Sequence, residues 1–374
     1  MTRHYLDHAS TSPLRPVARD ALTAALAFGA DPGRIHEEGL TARHAVEVAR
    51  QQVADLLGAH SREVVFTSGA TESIAMACHG AARRDPEGRR SHSVLAALEH
   101  SAVRLCVDRE GPSTVVGVDR AGRIDPDDLL GAVGDDTAIV HLQWGNHEVG
   151  TCHDLAPVVA ACREHEVLVH VDAAQAAGRV PVDFGALGAD LLSVSAHKFG
   201  GPPGVGALLV RRGLRLDPLL LGGDQERARR AGLENVPAVA GFGAACESLG
   251  EGVLADEEAD ARRLTDLLAK GLAALDGVER YGDTDRRLPH LVCVGISDIE
   301  PQAVLLGLDR AGVAAHSGSA CASEGLEPSP VLEAMGVDAH RSLRFSVGWN
   351  TTDADMGAAL DALPGILAGL RALR

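Results

Sequence analysis

The side chain with the most distinctive chemistry in this sequence is that of Lys198, one of two lysines among 35 basic residues. It follows the apolar run 190–195, which predicts a buried strand with Ser195, His197 and Lys198 at its end. Arginine keeps its proton in proteins, whereas a desolvated lysine can become a neutral amine and form a Schiff base with an aldehyde. The placement therefore indicates Schiff-base chemistry, with a surface lysine in a loop as the alternative.

The segment that follows residue 67 has the composition of an anion site. The run 63–67 predicts a strand, and the small residues at 68–71 stand where this strand opens into a helix. A helix N-terminus presents unpaired N–H groups and a favourable dipole to an anion. Ala70 and Thr71 are therefore candidates to bind a phosphate, while a plain capped turn is the commoner alternative.

Together with other polar residues, Lys198 and Thr71 match the needs of pyridoxal phosphate. This cofactor requires a phosphate site, an aldehyde-capturing lysine, a carboxylate at the ring nitrogen and a flat group on the ring. The candidates are Ala70, Thr71, Ser195 and His197 for the phosphate, Lys198 for the aldehyde, Asp172 for the ring nitrogen, Gln175 for the ring hydroxyl and His100 for stacking. Asp172 alone is explained equally well as a helix cap, so the cofactor is predicted from the whole set.

The elements that must position these residues alternate between strand and helix. Strands are predicted at 63–67, 92–98, 137–143, 167–172 and 190–195, and helices at 41–57 and 155–164. This alternation is typical of an α/β protein with a mostly parallel sheet, whose sites lie at the carboxyl ends of the strands. Polar residues follow all five strands. No G-x-G-x-x-G motif follows an early strand, which disfavours a dinucleotide-binding dehydrogenase.

The chain is predicted to form two domains and an N-terminal arm. Residues 16–255 form the large cofactor-binding domain in this prediction, and residues 256–374 form a smaller α/β C-terminal domain. Residues 1–15 are predicted to be an arm that packs with the small domain. The loop that contains Cys321 belongs to the C-terminal domain in this division.

Composition and charge exclude several classes of protein. A net charge of −17 is unfavourable for phosphate neutralisation, so no direct nucleic-acid binding is expected. No apolar run approaches the ~20 residues of a membrane span, and the first residues do not resemble a secretory signal, so we expect a cytoplasmic protein without membrane contact. The seven cysteines include no C-x-x-C pair, which disfavours a metal site and is typical of reduced thiols.

Five motifs carry a resemblance to a known family. They read FTSGATES at 66–73, EHSAV at 99–103, HVDAAQ at 170–175, SAHK at 195–198 and SGSAC at 317–321. In this order they resemble the class V aminotransferase superfamily and, within it, the NifS/IscS-like cysteine desulfurases. The similarity extends from residues 5–9 to residues 343–348, and SGSAC is the motif specific for the desulfurases.

The resemblance implies a homodimeric pyridoxal-phosphate enzyme of fold type I, with a mostly parallel sheet in its large domain. The implied reaction converts L-cysteine to L-alanine and leaves the sulfur as a persulfide on Cys321, for transfer to an acceptor protein that the sequence does not identify. Lys198 is implied to hold the cofactor, and Arg344 to bind the substrate carboxylate. His100 is the expected proton carrier at the substrate thiol, because imidazole titrates near neutrality. The alternative for Cys321 is a small apolar filler, although its loop is rich in glycine and serine.

Three positions depart from the pattern of this family. His147 replaces an asparagine that contacts the cofactor's ring hydroxyl, and Asp31 replaces an asparagine that helps to bind the substrate carboxylate. Leu233 replaces a threonine that reaches the phosphate bound by the other subunit. One lost neutral hydrogen bond costs about 0.5–1.5 kcal/mol, so the cofactor is still expected to bind. The three changes together predict a desulfurase with altered activity or a specialised acceptor pathway.

Two alternatives stay open at this point. Another pyridoxal enzyme of the same fold, such as an aminotransferase, a selenocysteine lyase or a carbon–sulfur lyase, does not need Cys321. A non-catalytic binding protein of a sulfur system is expected to have lost Lys198, Asp172 or Cys321, and this chain has all three. Formation of a persulfide at Cys321 separates a desulfurase from the first alternative.

Overall fold

The structure is a computed structural model that describes residues 2–27, 29–85, 87–317 and 328–373. Cys321 lies outside the described residues. The strands are β1 (His4–Tyr5), β2 (Val64–Thr67), β3 (His92–Ala96), β4 (Ser113–Val116), β5 (Thr137–Gln143), β6 (Leu168–Asp172), β7 (Leu191–Ser195), β8 (Gly206–Val210), β9 (Val278–Tyr281), β10 (Leu291–Ile296), β11 (Val313–Ala314), β12 (His316–Ser317) and β13 (Ser342–Ser346). The helices are α1 (Pro16–Ala25), α2 (Glu37–Leu56), α3 (Ala70–Ala82), α4 (Ser101–Glu110), α5 (Pro126–Gly131), α6 (Leu155–Glu164), α7 (Phe184–Leu187), α8 (Gln225–Ala228), α9 (Val236–Glu247), α10 (Val253–Ala273), α11 (Pro301–Arg310), α12 (Pro330–Ala334) and α13 (Asp353–Ala372). None of the helices in these ranges has the length and apolar character that a membrane span requires.

A seven-stranded sheet, ordered β2-β8-β7-β6-β5-β3-β4, lies at the centre of the fold. The neighbours from β7 to β4 pair in parallel, whereas β8 is antiparallel to both β7 and β2. The connection between β7 and β8 is a short segment rich in glycine and proline, and strands joined so directly pair antiparallel because a parallel pair needs a longer crossover. The prediction of an α/β fold with a mostly parallel central sheet is confirmed.

Helices cover both faces of this sheet. On one face, α2, α6 and α9 contribute to a large aliphatic cluster that includes Leu192 of β7. On the other face, α3 contributes Met76 and Ala77 to a cluster with Leu191. Since successive side chains of a strand point to opposite faces, Leu191 and Leu192 bury both sides of β7. Burial on both sides explains why the parallel strands appear in the sequence as continuous apolar runs.

A second sheet of four antiparallel strands, ordered β12-β13-β10-β9, lies in the C-terminal part of the chain. Its strands pack against α10, α11 and α13 around a core of their own. The N-terminal residues join this unit, because β1 pairs in parallel with β11 and Leu6 belongs to the same core. The separate sheet and core confirm a smaller α/β unit, while the domain limits 1–15, 16–255 and 256–374 stay a prediction.

Candidate active site

A cavity of about 440 Å³ opens where the parallel strands end. Its lining includes Ala70, Thr71, His100, His147, Asp172, Gln175, Ser195, His197, Lys198 and Arg344. Ten of the twelve residues selected from the sequence are thus brought together in one place. Of the other two, Asp31 does not contribute to the lining and Cys321 lies outside the described residues.

Lys198 lies in a short 3₁₀ turn (Ala196–Lys198) that directly follows β7. Its Nζ donates hydrogen bonds to the carbonyl oxygens of Ala9 at 2.7 Å and of Ser10 at 3.0 Å. Burial, together with the charge of Arg344, lowers the pKa of Lys198 to about 8. The neutral amine is therefore far more populated near pH 7 than it is for an exposed lysine.

The phosphate candidates surround the N-terminus of α3, a helix of 13 residues. Gly69, just before the helix, has a φ of 150°, and a Cβ at this position would lie 3.5 Å from Oγ of Ser195. A Cβ at Gly206 of β8 would lie 2.7 Å from the Cα of Gly69. The backbone before α3 is thus pressed against β7 and β8. The first N–H groups of the helix, including those of Ala70 and Thr71, lie at the edge of the cavity, as an anion site requires.

Asp172 is the last residue of β6, and its carboxyl group is buried beside Lys198. Its Oδ1 accepts a hydrogen bond from the N–H of Ala174 at 3.0 Å. Burial raises the pKa of Asp172, and the charges of His147 and Lys198 oppose that rise. A buried carboxylate that is costly to ionise alone is stabilised by a cation in contact with it. A protonated ring nitrogen is such a cation.

Gln175 connects the cavity to the N-terminal arm and to the small unit. Its Nε2 donates to the carbonyl oxygen of Ala9 at 2.8 Å, and its Oε1 lies 3.2 Å from Nε2 of His290. These two contacts fix the orientation of the amide. Because an amide nitrogen has two N–H groups, one donor is left for a ligand in the cavity.

His100 and His147 form a pair of imidazoles in the wall of the cavity, with ring centroids 5.1 Å apart and ring planes at 66°. His100 caps α4, since its Nδ1 accepts a hydrogen bond from the N–H of Ala102 at 3.1 Å. Burial, together with the charges of His147 and Lys198, lowers the pKa of His100 to about 3. The imidazole is therefore neutral at pH 7, with its proton on Nε2. This differs from the titration near neutrality that is expected for an unperturbed histidine.

His147 is held at the wall of the cavity by its main chain and by its side chain. Its carbonyl oxygen accepts a hydrogen bond from Nη1 of Arg344 at 2.8 Å. Its Nε2 lies 3.5 Å from Oε1 of Glu148. Both contacts keep the ring beside His100 in the wall of the cavity.

Arg344 presents a buried guanidinium to the cavity from β13, with a residue exposure of 1%. Besides the carbonyl of His147, it binds Oδ1 of Asp7 at 3.1 Å and Oγ of Ser10 at 3.0 Å through Nη2. Its Nε is buried and has no hydrogen-bond partner among the described residues. A fixed guanidinium with an unused donor is suited to bind a carboxylate.

The two other departures from the family pattern lie apart from the cavity lining. Asp31 accepts a hydrogen bond from the N–H of Gly33 at 2.7 Å and forms an ion pair with Nε of Arg34 at 3.0 Å. Its carboxylate is therefore satisfied within its own loop. Leu233 is 61% exposed, so its side chain adds no contact to the phosphate candidates within this chain.

Glu99 is a buried carboxyl group that the sequence analysis does not select. Its Oε1 accepts the N–H of Gln143 at 2.8 Å, and its Oε2 has no hydrogen-bond partner in the described ranges. Burial, together with the charge of Asp172, raises the pKa of Glu99 to about 8. The available signal was an acidic residue directly before His100 at the end of an apolar run.

Known proteins with similar sequences match this chain over nearly its whole length. The model of the aminotransferase class-V family matches residues 4–358. The chain is 39% identical to the cysteine desulfurase IscS of Methanosarcina thermophila, over 98% of this chain and 92% of that protein. It is 41% identical to the IscS-like cysteine desulfurase of Mycobacterium tuberculosis, over 98% of this chain and 97% of that protein.

Solved structures with the same architecture also cover nearly the whole chain. A NifS-like protein superposes with a TM-score of 0.91 at 30% identity, over 99% of this chain and 100% of that one. SspA, solved in complex with cysteine, superposes with a TM-score of 0.82 at 28% identity, over 93% of this chain and 100% of that one.

Proposed function

Because the chain belongs to the class-V aminotransferase family, we propose that it is a pyridoxal-phosphate-dependent cysteine desulfurase, which converts L-cysteine to L-alanine and leaves the sulfur as a persulfide. The observation that carries this proposal is the presence of Lys198 and the buried guanidinium of Arg344 in one cavity. An amino-acid substrate of a pyridoxal enzyme needs both a lysine for the aldehyde and a cation for its carboxylate. The relatives named cysteine desulfurase, at 39% and 41% identity, support sulfur as the transferred group.

The residues of the cavity fit pyridoxal phosphate at each of its polar groups. Those that would hold it are Ala70, Thr71, Ser195 and His197 at the phosphate, Asp172 at the ring nitrogen, Gln175 and His147 at the ring hydroxyl, and His100 at the face of the ring. The close approach of Gly206 to Gly69 leaves the backbone of the phosphate site free of side chains. When bound, the cofactor supplies the aldehyde for Lys198 and withdraws electrons from the α-carbon of the substrate.

Arg344 is the residue that we assign to the substrate carboxylate. Asp7, Ser10 and the carbonyl of His147 fix its two terminal nitrogens, so little side-chain freedom is left to lose when a carboxylate binds. The buried Nε then acquires the acceptor that it lacks. The pair of contacts to Asp7 and Ser10 places the guanidinium directly next to the arm segment that also holds Lys198.

Lys198 is the residue that we assign to the α-proton of the substrate. Its pKa of about 8 keeps part of the population neutral near pH 7, so Nζ can accept a proton. The resulting ammonium lies between the carbonyl oxygens of Ala9 and Ser10, which accept its hydrogen bonds. The same two carbonyls thus hold Nζ in place before and after proton transfer.

His100 acts in this proposal as a neutral hydrogen-bond donor to the substrate sulfur. Its Nδ1 is used as the cap of α4, which leaves the N–H on Nε2. A donor at this place orients the substrate sulfur for attack by the thiolate of Cys321, and the electron pair of the carbon–sulfur bond passes to the carbon side as that bond breaks. This role replaces that of a group titrating near neutrality.

Cys321 is the residue that we propose to take up the sulfur, and the described residues on either side of it support this role. β12 ends at Ser317, and His316 pairs with Arg344 in the register of the small sheet. After the gap, Oγ of Ser329 donates to Oε2 of Glu148 at 2.5 Å, next to His147. His316 and Ser329 therefore lie next to parts of the cavity wall, the first beside Arg344 and the second at Glu148, the neighbour of His147 in the sequence.

We propose a homodimer in the cytoplasm as the active form, with a sulfur-acceptor protein as its partner. Leu221 and Leu233 are 83% and 61% exposed and belong to the loop between β8 and α9. Large exposed aliphatic side chains in one loop are typical of a surface that another chain covers. Arg230 of the same loop forms an ion pair with Glu72 in the first turn of α3, at 2.8 Å. A partner on this loop therefore lies close to the phosphate site.

The test is the release of alanine from L-cysteine by the cofactor-loaded protein, compared with the variants Cys321→Ala and Cys162→Ala. Alanine from the native protein and from Cys162→Ala, but not from Cys321→Ala, supports a desulfurase that uses Cys321. Cys162 is buried on α6, away from the cavity, and serves as the matched control. Equal alanine release by all three proteins contradicts the role of Cys321, and release of sulfide and pyruvate in place of alanine indicates a carbon–sulfur lyase. Bound cofactor without alanine release indicates another amino acid as the substrate and directs attention to His147.

A further inference from the structure

The main chain on either side of Lys198 is held by the N-terminal arm at four successive carbonyl groups, those of residues 197–200. Ser12 donates to the first of them through its N–H at 2.8 Å, and to the second, that of Lys198, through its hydroxyl at 3.1 Å. Arg15 donates to the third through Nε and to the fourth through its N–H, both at 2.8 Å. The arm thus fixes the turn that carries the lysine.

Arg179, from the segment that follows β6, binds the same carbonyl group of Lys198. Its Nη2 donates to that oxygen at 2.7 Å and to Oγ of Ser12 at 2.6 Å. The backbone just before Arg179 is tightly packed, because a Cβ at Gly178 would collide with the ring of Phe199, the residue after the lysine. One guanidinium therefore joins the main chain of the lysine to the arm.

The guanidinium of Arg179 is a buried cation, with a residue exposure of 6%. Its Nε has no hydrogen-bond partner in the part of the chain that the structure describes. Burial, together with the charge of Arg15, lowers the pKa of Arg179 to about 10, so the side chain is still charged at pH 7. A hydrogen bond from a charged donor is stronger than one from a neutral donor. The carbonyl of Lys198 is therefore held more firmly by Arg179 than by the hydroxyl of Ser12.

Ser12 connects this arrangement to the small unit through His8. Nδ1 of His8 lies 3.0 Å from Oγ of Ser12, and Nε2 of His8 lies 3.2 Å from Oγ1 of Thr351. The same Oγ1 accepts the N–H of Gly348 at 2.9 Å. A Cβ at Gly348 would collide with the ring of His8, so the imidazole has little room to move. The hydroxyl to which Arg179 donates is thereby fixed by contacts with the small unit as well.

We propose that Arg179 is a positioning residue for Lys198: it holds the carbonyl oxygen of the lysine and the hydroxyl of Ser12, and so fixes the main chain from which Nζ reaches into the cavity. Nζ donates to the carbonyls of Ala9 and Ser10 at 2.7 and 3.0 Å, in the same stretch of the arm as Ser12. Both the main chain and the amine of the lysine thus depend on the stretch that Arg179 binds. This inference deepens the proposed function and rests on it for the role of Lys198.

Loss of the guanidinium is expected to have two separable effects on Lys198. The first is geometric, because the carbonyl of the lysine keeps only the weaker hydrogen bond from the arm and Nζ is misplaced. The second is electrostatic. After burial, the charge of Arg344 is the largest cause that lowers the pKa of Lys198, and the charge of Arg179 lowers it too, whereas the carboxylates of the cavity residue Asp172 and of Asp7 raise it. Removal of the Arg179 charge therefore raises this pKa.

The first experiment measures how readily Lys198 of the cofactor-free protein is methylated by formaldehyde and cyanoborohydride, which react with the neutral amine. Labelling is followed from about pH 6 to about pH 10 by mass spectrometry of peptides, with Lys270, exposed on α10, as the internal reference. In Arg179→Gln the midpoint for Lys198 is expected to lie at least about 0.5 pH unit higher, which lowers labelling at pH 7 about threefold. Arg287→Gln removes another buried arginine, with an exposure of 4%, and should keep the native midpoint.

The second experiment measures how fast the stripped protein captures pyridoxal phosphate, from the growth of visible absorbance, at a pH of about 10, well above the pKa of Lys198. The electrostatic effect vanishes there, so a remaining difference reports the geometry. Capture by Arg179→Gln is expected to be at least about tenfold slower, since a misplacement of ~1 Å can cost about 10²-fold. Arg179→Lys, which keeps a charged donor, should restore part of the rate. Ser12→Ala should slow capture by a smaller factor without a shift of the midpoint, and Arg287→Gln should match the native protein.

Three outcomes overturn the proposal. They are a native rate of capture in folded Arg179→Gln, an equal slowing in Arg287→Gln, which would attribute the effect to lost stability, and a native rate in Ser12→Ala. The last variant removes a single hydroxyl group, so it decides the matter where Arg179→Gln does not fold. Methylation uses neither the cofactor nor cysteine. A shifted midpoint in Arg179→Gln, with no capture of pyridoxal phosphate by the native protein, would therefore refute the proposed function and still support the placement of Arg179.

Discussion

In the proposed reaction, Lys198 and Arg344 divide the binding of an amino acid between a group that can lose its proton and one that cannot. Both are cationic groups in the same cavity, and the charge of Arg344 is the second cause, after burial, of the lowered pKa of Lys198. A guanidinium stays charged throughout the physiological pH range, so the repulsion between the two cations lowers the pKa of the lysine. Arg344, which we propose binds the carboxylate, thus also helps to make Lys198 a nucleophile.

Replacing Lys198 by alanine is expected to lower alanine formation at least about 10²-fold, because Lys198 is the one lysine among the described residues that line the cavity. The visible absorbance of the bound cofactor should also be lost. Lys270→Ala is the matched control, since Lys270 is the second lysine of the chain and lies on α10. Retention of the visible band in Lys198→Ala, measured by absorbance after gel filtration, would show that the aldehyde is not bound through this residue.

The lowered pKa of Lys198 predicts the pH dependence of cofactor capture. Protonated amine is not a nucleophile, so the capture rate of stripped protein should rise about tenfold per pH unit below the pKa and level off above about 8. For an exposed lysine the rise would continue to about pH 10. In Arg344→Gln the plateau should begin at a higher pH, because a charge that lowers the pKa is removed. Rates would be followed by the growth of visible absorbance after mixing, and a rise in the native protein that continues to pH 10 contradicts the assignment.

Arg344→Lys is expected to raise KM for L-cysteine more than it lowers kcat, because a point charge cannot reproduce the fixed guanidinium. A hydrogen bond to a charged group contributes about 1.5–3 kcal/mol, which corresponds to a factor of about 10 to 150 in kcat/KM. Arg341→Lys is the control, since Arg341 directly precedes β13 and pairs with Asp338 on the surface at 3.3 Å. Steady-state kinetics with equal effects of both variants would place the carboxylate site elsewhere.

At the scale of elements, the four-residue α8 is a left-handed turn that is held in place by buried charge. Glu226, Arg227 and Ala228 have φ values of 49°, 59° and 60°. The carboxylate of Glu226 is buried and binds both terminal nitrogens of Arg50, at 2.7 and 2.8 Å. This pair keeps the turn in a conformation that costs roughly 1–2 kcal/mol per non-glycine residue.

Ala228→Gly is therefore expected to stabilise the protein by about 0.5–1 kcal/mol. Glycine adopts positive φ without a steric clash, and the strain that is removed exceeds the extra backbone entropy that glycine loses on folding. Ala244→Gly, in the right-handed helix α9, should have the opposite sign and destabilise by about 1 kcal/mol. Urea unfolding with an unchanged slope would measure both values. A loss of stability in both variants would mean that Ala228 is not strained in the folded protein.

The sequence predicts the elements of the central sheet well. It does not predict a helix that is buried on nearly all sides. β5 and α6 have the predicted bounds 137–143 and 155–164, because each combines a clear apolar pattern with polar limits. Helix α9 is not predicted, since eight of its twelve residues are buried and it lacks an amphipathic pattern. It packs between α1, α2 and the sheet, which a local pattern cannot show.

At the scale of the whole molecule, the N-terminal arm joins the two units at the cavity. Its carbonyl groups at Ala9 and Ser10 hold Lys198, and the hydroxyl of Ser10 also binds Arg344 of the small sheet. Ser10 is 188 positions from Lys198 in the sequence and 334 positions from Arg344. The sequence predicts the residue types of the site from the motifs at strand ends. It does not predict these contacts, because they depend on how distant segments pack.

The dimer proposal can be tested through the loop between β8 and α9, where the N–H of Ala231 bonds to the carbonyl of Leu220 at 3.3 Å. The double variant Leu221→Asp/Leu233→Asp is expected to shift the protein to monomers, because two buried carboxylates would replace two aliphatic side chains in the interface. Leu306→Asp is the matched control, since Leu306 is 62% exposed on α11. Sedimentation velocity at several concentrations measures the shift. Because Arg230 connects this loop to Glu72 of α3, the monomer should also lose the cofactor faster than the control. A native protein that sediments as a monomer, or a double variant that stays dimeric, contradicts an interface at this loop.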